Sequence, residues 1–243
     1  NGAMRPTGII FAALDCDLEV VERWNRWYDL EHTPPNLVLD GVLLSNRYVA
    51  TPPLHDARTT APDSPFAAKR ASFITIYTLT GDPKGVFDGM SGLREQLIAQ
   101  GRMEFPDDRK IVREGDVLAT TAARASDETR CPPDDAPFVG HTGVVLRQRR
   151  GGGEDEQRRV LDAVGLEGVH AAWSMASCLR DGLTMDLFLV EGDLVAAQRR
   201  LTGALGDDAA VGATVTAAFE RIVPLQYPWA DAMRASDLPQ TIA

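Results

Sequence analysis

The sequence predicts an α+β fold in which one βαββαβ unit is written twice. Three pairs of landmarks carry that prediction. Thr7-Gly8-Ile9-Ile10-Phe11 echoes Thr142-Gly143-Val144-Val145-Leu146. Gly41-Val42 and Gly168-Val169 each open a strand-like run. Ile76-Tyr77-Thr78-Leu79-Thr80-Gly81-Asp82 matches Leu187-Phe188-Leu189-Val190-Glu191-Gly192-Asp193. The landmarks keep their order in both halves, as a duplicated unit requires.

Each element follows from its local pattern. In the first unit residues 7–14 are apolar and β-rich, and 18–32 are helical. Strands are expected at 42–50 and 70–80, a helix at 83–100 and a final strand at 111–123. The second unit places strands near 139–148, 168–179, 183–191 and 212–223, with helices near 154–164 and 193–205. The interval from Gly41 to Gly81 is 16 positions longer than that from Gly168 to Gly192. Residues 51–66, with four prolines and little periodicity, have that length. They are expected to form an inserted surface loop, a candidate lid.

The predicted division is a first repeat over 4–125, a linker over 126–137, a second repeat over 138–223 and a tail over 224–243. Cys131-Pro132-Pro133-Asp134-Asp135 marks the linker. The tail, with Tyr227, Pro228 and Trp229, is expected to strap one half. Asn1-Gly2-Ala3 reads as a cloning remnant before a natural start at Met4. The order β-α-β-β-α-β is the ferredoxin-like split βαβ motif. Its four-stranded antiparallel sheet carries helices on one face and leaves the other bare. Two fused units can bury those bare faces against each other, closing an α/β barrel within one chain.

Composition narrows the function classes. The chain has 243 residues, 44% hydrophobic and 25% charged, enough for a substantial core. No apolar run approaches a membrane span and no secretory signal is visible, so a cytoplasmic protein is expected. The net charge of −10 argues against sequence-independent nucleic-acid binding. Cys16, Cys131 and Cys178 are far apart, and His32, His55, His141 and His170 are dispersed. Neither set announces a metal site or a disulfide framework. Gly151-Gly152-Gly153 lacks the Lys-Ser/Thr of a phosphate-binding loop.

The chemistry concentrates in Trp24-Asn25-Arg26-Trp27-Tyr28-Asp29-Leu30-Glu31-His32-Thr33-Pro34-Pro35. At roughly 100° per residue, Trp24, Tyr28 and His32 form one slanting stripe. Asp29 lies three residues before His32, so its carboxylate could hold the imidazole. The helix is expected to stop at Thr33-Pro34, because a residue before proline disfavours the α region. His32 would then sit in the last turn, where the dipole favours its cation. The functional reading makes His32 a proton shuttle, Asp29 its orienter and Tyr28 a donor to a substrate oxygen. The plainer reading makes His32 a helix cap, Asp29 and Glu31 solvated charges, and Trp24 and Tyr28 core. On the next strand Arg47 and Tyr48 face opposite sides, and Asn46 shares the face of Tyr48. Arg47 either clamps a substrate oxyanion or forms a surface ion pair. His141 is expected to be buried and hydrogen-bonded, His55 solvated, and Cys178 packing.

This helix, followed by Leu37, Gly41 and Arg47-Tyr48, resembles the signature of EthD-like proteins. The resemblance covers roughly residues 7–100; in the second half topology alone carries it. EthD-like proteins belong to the dimeric α/β-barrel superfamily, in which two ferredoxin-like units pair through their sheets. The resemblance implies a pocket for a hydrophobic, oxygenated small molecule. Cofactor-independent monooxygenases, cyclases, isomerases, dehydratases and some haem enzymes share that scaffold. The expectation drawn here is acid–base chemistry without a cofactor: a cyclase, isomerase or dehydratase. A monooxygenase and a non-catalytic binder are the alternatives. Catalysis is assigned to His32, Asp29 and Tyr28. Substrate binding is assigned to Trp24, Trp27, Asn25, Arg47, Tyr48 and Asn46. The helix at 154–164 has no Trp, Tyr or His, so one site per chain is expected. Pairing between chains is left open.

Overall fold

A computed structural model describes residues 5–206 and 208–242. The predicted remnant Asn1–Ala3 and start Met4 lie outside them. Among the described residues, a nine-stranded antiparallel sheet and seven α-helices make a mixed fold.

The first set of elements is β1 (Gly8–Cys16), α1 (Val21–Trp27), α2 (Thr33–Leu37), β2 (Val42–Val49), α3 (Pro52–Ala57), β3 (Thr59–Thr60), β4 (Phe73–Leu79), α4 (Pro83–Ala99) and β5 (Lys110–Ala125). The second set is β6 (Gly143–Arg149), α5 (Gly153–Asp162), β7 (Val169–Ser177), β8 (Thr184–Val190), α6 (Leu194–Leu205) and β9 (Ala213–Arg221). A last helix, α7 (Ala230–Arg234), lies in the tail.

The strands run in the order β2-β4-β1-β5-β7-β8-β6-β9-β3, and β2 also pairs with β9. Eight strands therefore close into a ring, with β3 appended to β9. Closure removes the free sheet edges that would invite pairing with other chains. The two joints are unequal. β5 and β7 share seven residue pairs, whereas β2 and β9 share only Tyr48↔Arg221 and Val49↔Glu220.

Alternation along β1 shows how the layers form. Ile9, Phe11 and Ala13 face inward and join Leu146, Met175, Leu187 and Phe219 in the main core. Ile10 faces outward with Val86 and Phe87 of α4, and Leu14 faces outward to Trp24 and Trp27 of α1. Helices thus cover the outer surface while side chains fill the ring.

The landmark residues have matching surroundings in both sets. The Thr7 and Thr142 amides donate to Leu79 and Val190 at 2.8 and 2.9 Å. Gly8 and Gly143 lie against the carbonyls of Leu118 and Phe219, beneath Pro83 and Leu194 at the two helix starts. Gly41 and Gly168 adopt φ of +90° and +78°, which glycine adopts without steric cost. Asp82 and Asp193 cap α4 and α6 through their carboxylates.

Two elements and one residue differ from the sequence-based expectations. The helix does not stop at Thr33-Pro34. A π-turn spans Tyr28–His32, with the Thr33 amide donating to the Tyr28 carbonyl, and α2 follows without a break. The turn resets the register, so both prolines fall in the first turn of α2, where no amide proton is needed. Residues 51–66 form no loose lid. They hold α3 and β3, and Leu54, His55 and Phe66 are buried. His55, expected to be solvated, is 5% exposed and hydrogen-bonds Ser72 at 3.1 Å. Its burial pushes its pKa down to about 2.

Tail residues Trp229, Ala230, Met233 and Leu238 pack with Trp24, Trp27 and Tyr28 over the first set. No helix among the described residues is long and apolar enough to cross a membrane.

Candidate functional site

The α1 helix carries its rings in two directions. Trp24 is 0% exposed and packs edge-on against Tyr28 and Phe73, at 5.1 and 4.9 Å between ring centres. Trp27, Tyr28 and His32 line a cavity of about 910 Å³. The Tyr28 and His32 rings are 4.4 Å apart, and Trp27 and His32 are 4.9 Å apart. The π-turn sets this cluster. Asn36 secures it, donating its amide to the His32 carbonyl at 3.0 Å and to the Tyr77 hydroxyl at 3.2 Å. Widened turns of this kind are frequent at functional sites.

The opposite wall comes from distant sequence. Arg94 and Ile98 stand on the last turns of α4, Met103, Phe105 and Asp107 on the following loop, and Lys110 and Val112 on β5. Antiparallel pairing of Cys16 with Lys110 brings this loop beside the start of α1. Phe105 packs on Trp27 at 5.5 Å, and Arg23 lies over its ring. None of these residues was singled out from the sequence. The signal was present in the topology: the final strand must begin where β1 ends.

His32 is neutral, contrary to the cation expected at a helix end. Burial, then the charges of Arg47, Arg94 and Lys110, push its pKa down to about 3. Its Nδ1 is buried without a hydrogen-bond partner, as is Trp27 Nε1. The Tyr28 phenol is held protonated, its pKa raised chiefly by burial.

Asp29 does not hold His32. Its carboxylate accepts from the Tyr227 hydroxyl at 2.5 Å and the Leu225 amide at 2.8 Å, and pairs with Arg47 at 3.5 Å. Arg47 is no surface ion pair: it is 6% exposed, with its guanidinium 3.9 Å from the centre of the Tyr28 ring. It stands behind the cavity wall. Asn25 is buried and its amide is spent on the Val21 carbonyl at 2.8 Å. Tyr48 faces the ring interior and donates to His141 Nε2 at 2.8 Å, while His141 Nδ1 donates to the Val139 carbonyl at 2.7 Å. Asn46 and Tyr48 are not among the lining residues. The structure therefore gathers Trp27, Tyr28 and His32 at the cavity and puts Trp24, Asp29 and Arg47 directly behind them.

Two other regions have their polar groups committed elsewhere. A hollow of about 700 Å³ at the β2–β9 joint is lined by Leu54, His141 and Leu194, but both His141 nitrogens are already engaged. Beside α5 lie the buried ion pairs Arg147–Glu156 and Arg149–Asp186. Among the described residues no cluster of three or more His, Cys, Asp or Glu could hold a metal ion.

No protein-family model matches the chain, and no curated protein does. Solved structures do. A protein named "Putative Chlorite dismutase" is similar with TM-score 0.54 and 11% identity, over 94% of this chain and 99% of that one. A protein named "Putative monooxygenase" from Fusobacterium nucleatum has TM-score 0.48 and 10% identity over 92% and 94%. One of the same name from Lactobacillus acidophilus has 0.44 and 8% over 89% and 94%. At these identities the likeness is one of fold alone.

Proposed function

We propose that the chain is a cofactor-independent small-molecule enzyme, an EthD-like tandem of two ferredoxin-like units, with one active site beneath α1. The reaction is proton transfer on a hydrophobic, oxygenated compound: a cyclisation, isomerisation or dehydration. One observation carries this reading. A neutral imidazole with an uncommitted nitrogen forms the wall of an aromatic cavity. The matched landmarks of the two sets support the tandem reading.

The chemistry follows from the protonation states. Neutral His32 removes a proton from a carbon beside a carbonyl. The electron pair moves onto the carbonyl oxygen, where Lys110 and Arg94 supply positive field, while the Tyr28 ring, its hydroxyl directed at Thr75, packs beside His32. Protonated His32 then returns the proton to another carbon or to a departing hydroxyl. Arg47 packs Tyr28 in place, and Asp29 balances Arg47.

The test is a panel of polycyclic phenols and β-dicarbonyl compounds, followed by mass spectrometry and an oxygen electrode. Unchanged mass or loss of water is the expected outcome. Uptake of dioxygen would support an oxygenase instead. His32→Gln should lower turnover by at least ~100-fold with little change in thermal unfolding. Because His32 is neutral well below its ordinary range, kcat/KM should stay level from about pH 8 down to about pH 5. An acid limb near the ordinary histidine value would remove His32 as the base. Tight ligand binding with no turnover, indifferent to His32→Gln, would leave a binding protein.

A further inference from the structure

The cavity beneath α1 also indicates what kind of molecule fills it. Its lining includes the cations Arg94 and Lys110 in a protein whose net charge is −10. Trp27 Nε1 is a buried donor with no partner. Arg94 has no hydrogen bond or ion pair among the described residues, and its charge acts on Asp107 as well as on His32. Lys110 lines the same wall, and the charges that act on His32, from Arg47, Arg94 and Lys110, are all cationic. Two lining carboxylates, Glu104 and Asp107, belong to the exposed outer loop, and Asp107 is paired with Lys110. Apart from His32, the rest of the lining is apolar or aromatic, with Leu14, Ile98, Met103 and Phe105 among it. A volume of about 910 Å³ exceeds the need of a single ring.

We propose that this cavity takes a flat, multi-ring organic acid. Its carboxylate is held by Arg94 and Lys110, and its rings lie against Trp27 and Phe105. This rests on the reading of the cavity as the active site. A guanidinium binds a carboxylate through two parallel hydrogen bonds, whereas a neutral alcohol of the same shape can use only one. Nearby aromatic edges and faces favour planar rings over bulky aliphatic ones.

The experiment compares anthracene-9-carboxylate with 9-anthracenemethanol, titrated by fluorescence into the full chain near neutral pH. The acid should bind at least about tenfold more tightly, and rising salt should weaken the acid alone. In Arg94→Gln the acid should lose that advantage while the alcohol binds as before. Arg94 is exposed on its helix, so the substitution leaves the fold intact. Trp27→Leu should weaken both ligands. Equal binding of the two ligands, or an acid preference that survives Arg94→Gln with Lys110→Gln, overturns the substrate class and leaves the active-site reading standing. Binding of neither ligand overturns both.

Discussion

His32 and Asp29 lie three residues apart yet serve different neighbourhoods. On an ideal helix the carboxylate would stand beside the imidazole. The π-turn through Tyr28–His32 changes the angle between them, and Asp29 is instead committed to Arg47, Tyr227 and the Leu225 amide. Removing Asp29 therefore leaves a buried guanidinium without its counter-charge. Asp29→Ala should cost about 3 kcal/mol of stability in urea unfolding, because an uncompensated buried charge is expensive. Unaltered stability together with a shifted pH–rate profile would instead return Asp29 to the role of His32 orienter. The residue types of the site were legible because Trp, Tyr and His so close together are unusual on a plain core helix. Their partners were not: Arg94, Phe105 and Tyr227 lie tens to hundreds of positions away.

Among the elements, the strands and helices sit within a few residues of where periodicity puts them, apart from the helix end at Thr33-Pro34 and the stretch 51–66. Proline logic failed at the first because a helix can absorb prolines by resetting its register. It failed at the second because a stretch without periodicity can still pack through single side chains such as Leu54 and Phe66. The Thr-Gly landmarks have a steric reason. A Cβ on Gly143 would meet the Phe219 carbonyl oxygen at 2.5 Å and Leu194 at 2.7 Å. Gly143→Ala should cost at least ~2 kcal/mol in thermal unfolding, the scale of overpacking. Gly92→Ala in α4, where nothing lies within 4 Å, should gain about 0.5–1 kcal/mol from helix propensity. Equal effects at both sites would contradict the close approach.

Across the whole molecule, the ring has one strong joint and one weak one. Seven residue pairs join β5 to β7, but two join β2 to β9, aided by the Tyr48–His141 hydrogen bond and the Ile222 amide donating to the Arg47 carbonyl. Local opening follows the least-bonded region. Amide exchange at Ile222, whose amide crosses the weak joint to Arg47, should run at least about tenfold faster than at Cys178, whose amide crosses the strong one to Val117, and His141→Phe should widen the gap. Equal protection at both joints would mean that side-chain packing, not strand pairing, holds the ring shut. The weak joint also lies where the tail departs to cover Trp24 and Trp27, so the strap and the seam share one end of the barrel.

The sequence by itself determined the alternation of strands and helices and the aromatic helix. Each of these is written in side-chain size, polarity and period along a continuous stretch. Tertiary structure alone decided which side chains face one another: the neutral state of His32, the capture of Asp29 by the tail, and the Arg94–Phe105–Lys110 wall. Burial and charge act through space. A partly buried histidine acted on by three cations has a different chemistry from the same residue on an exposed helix end.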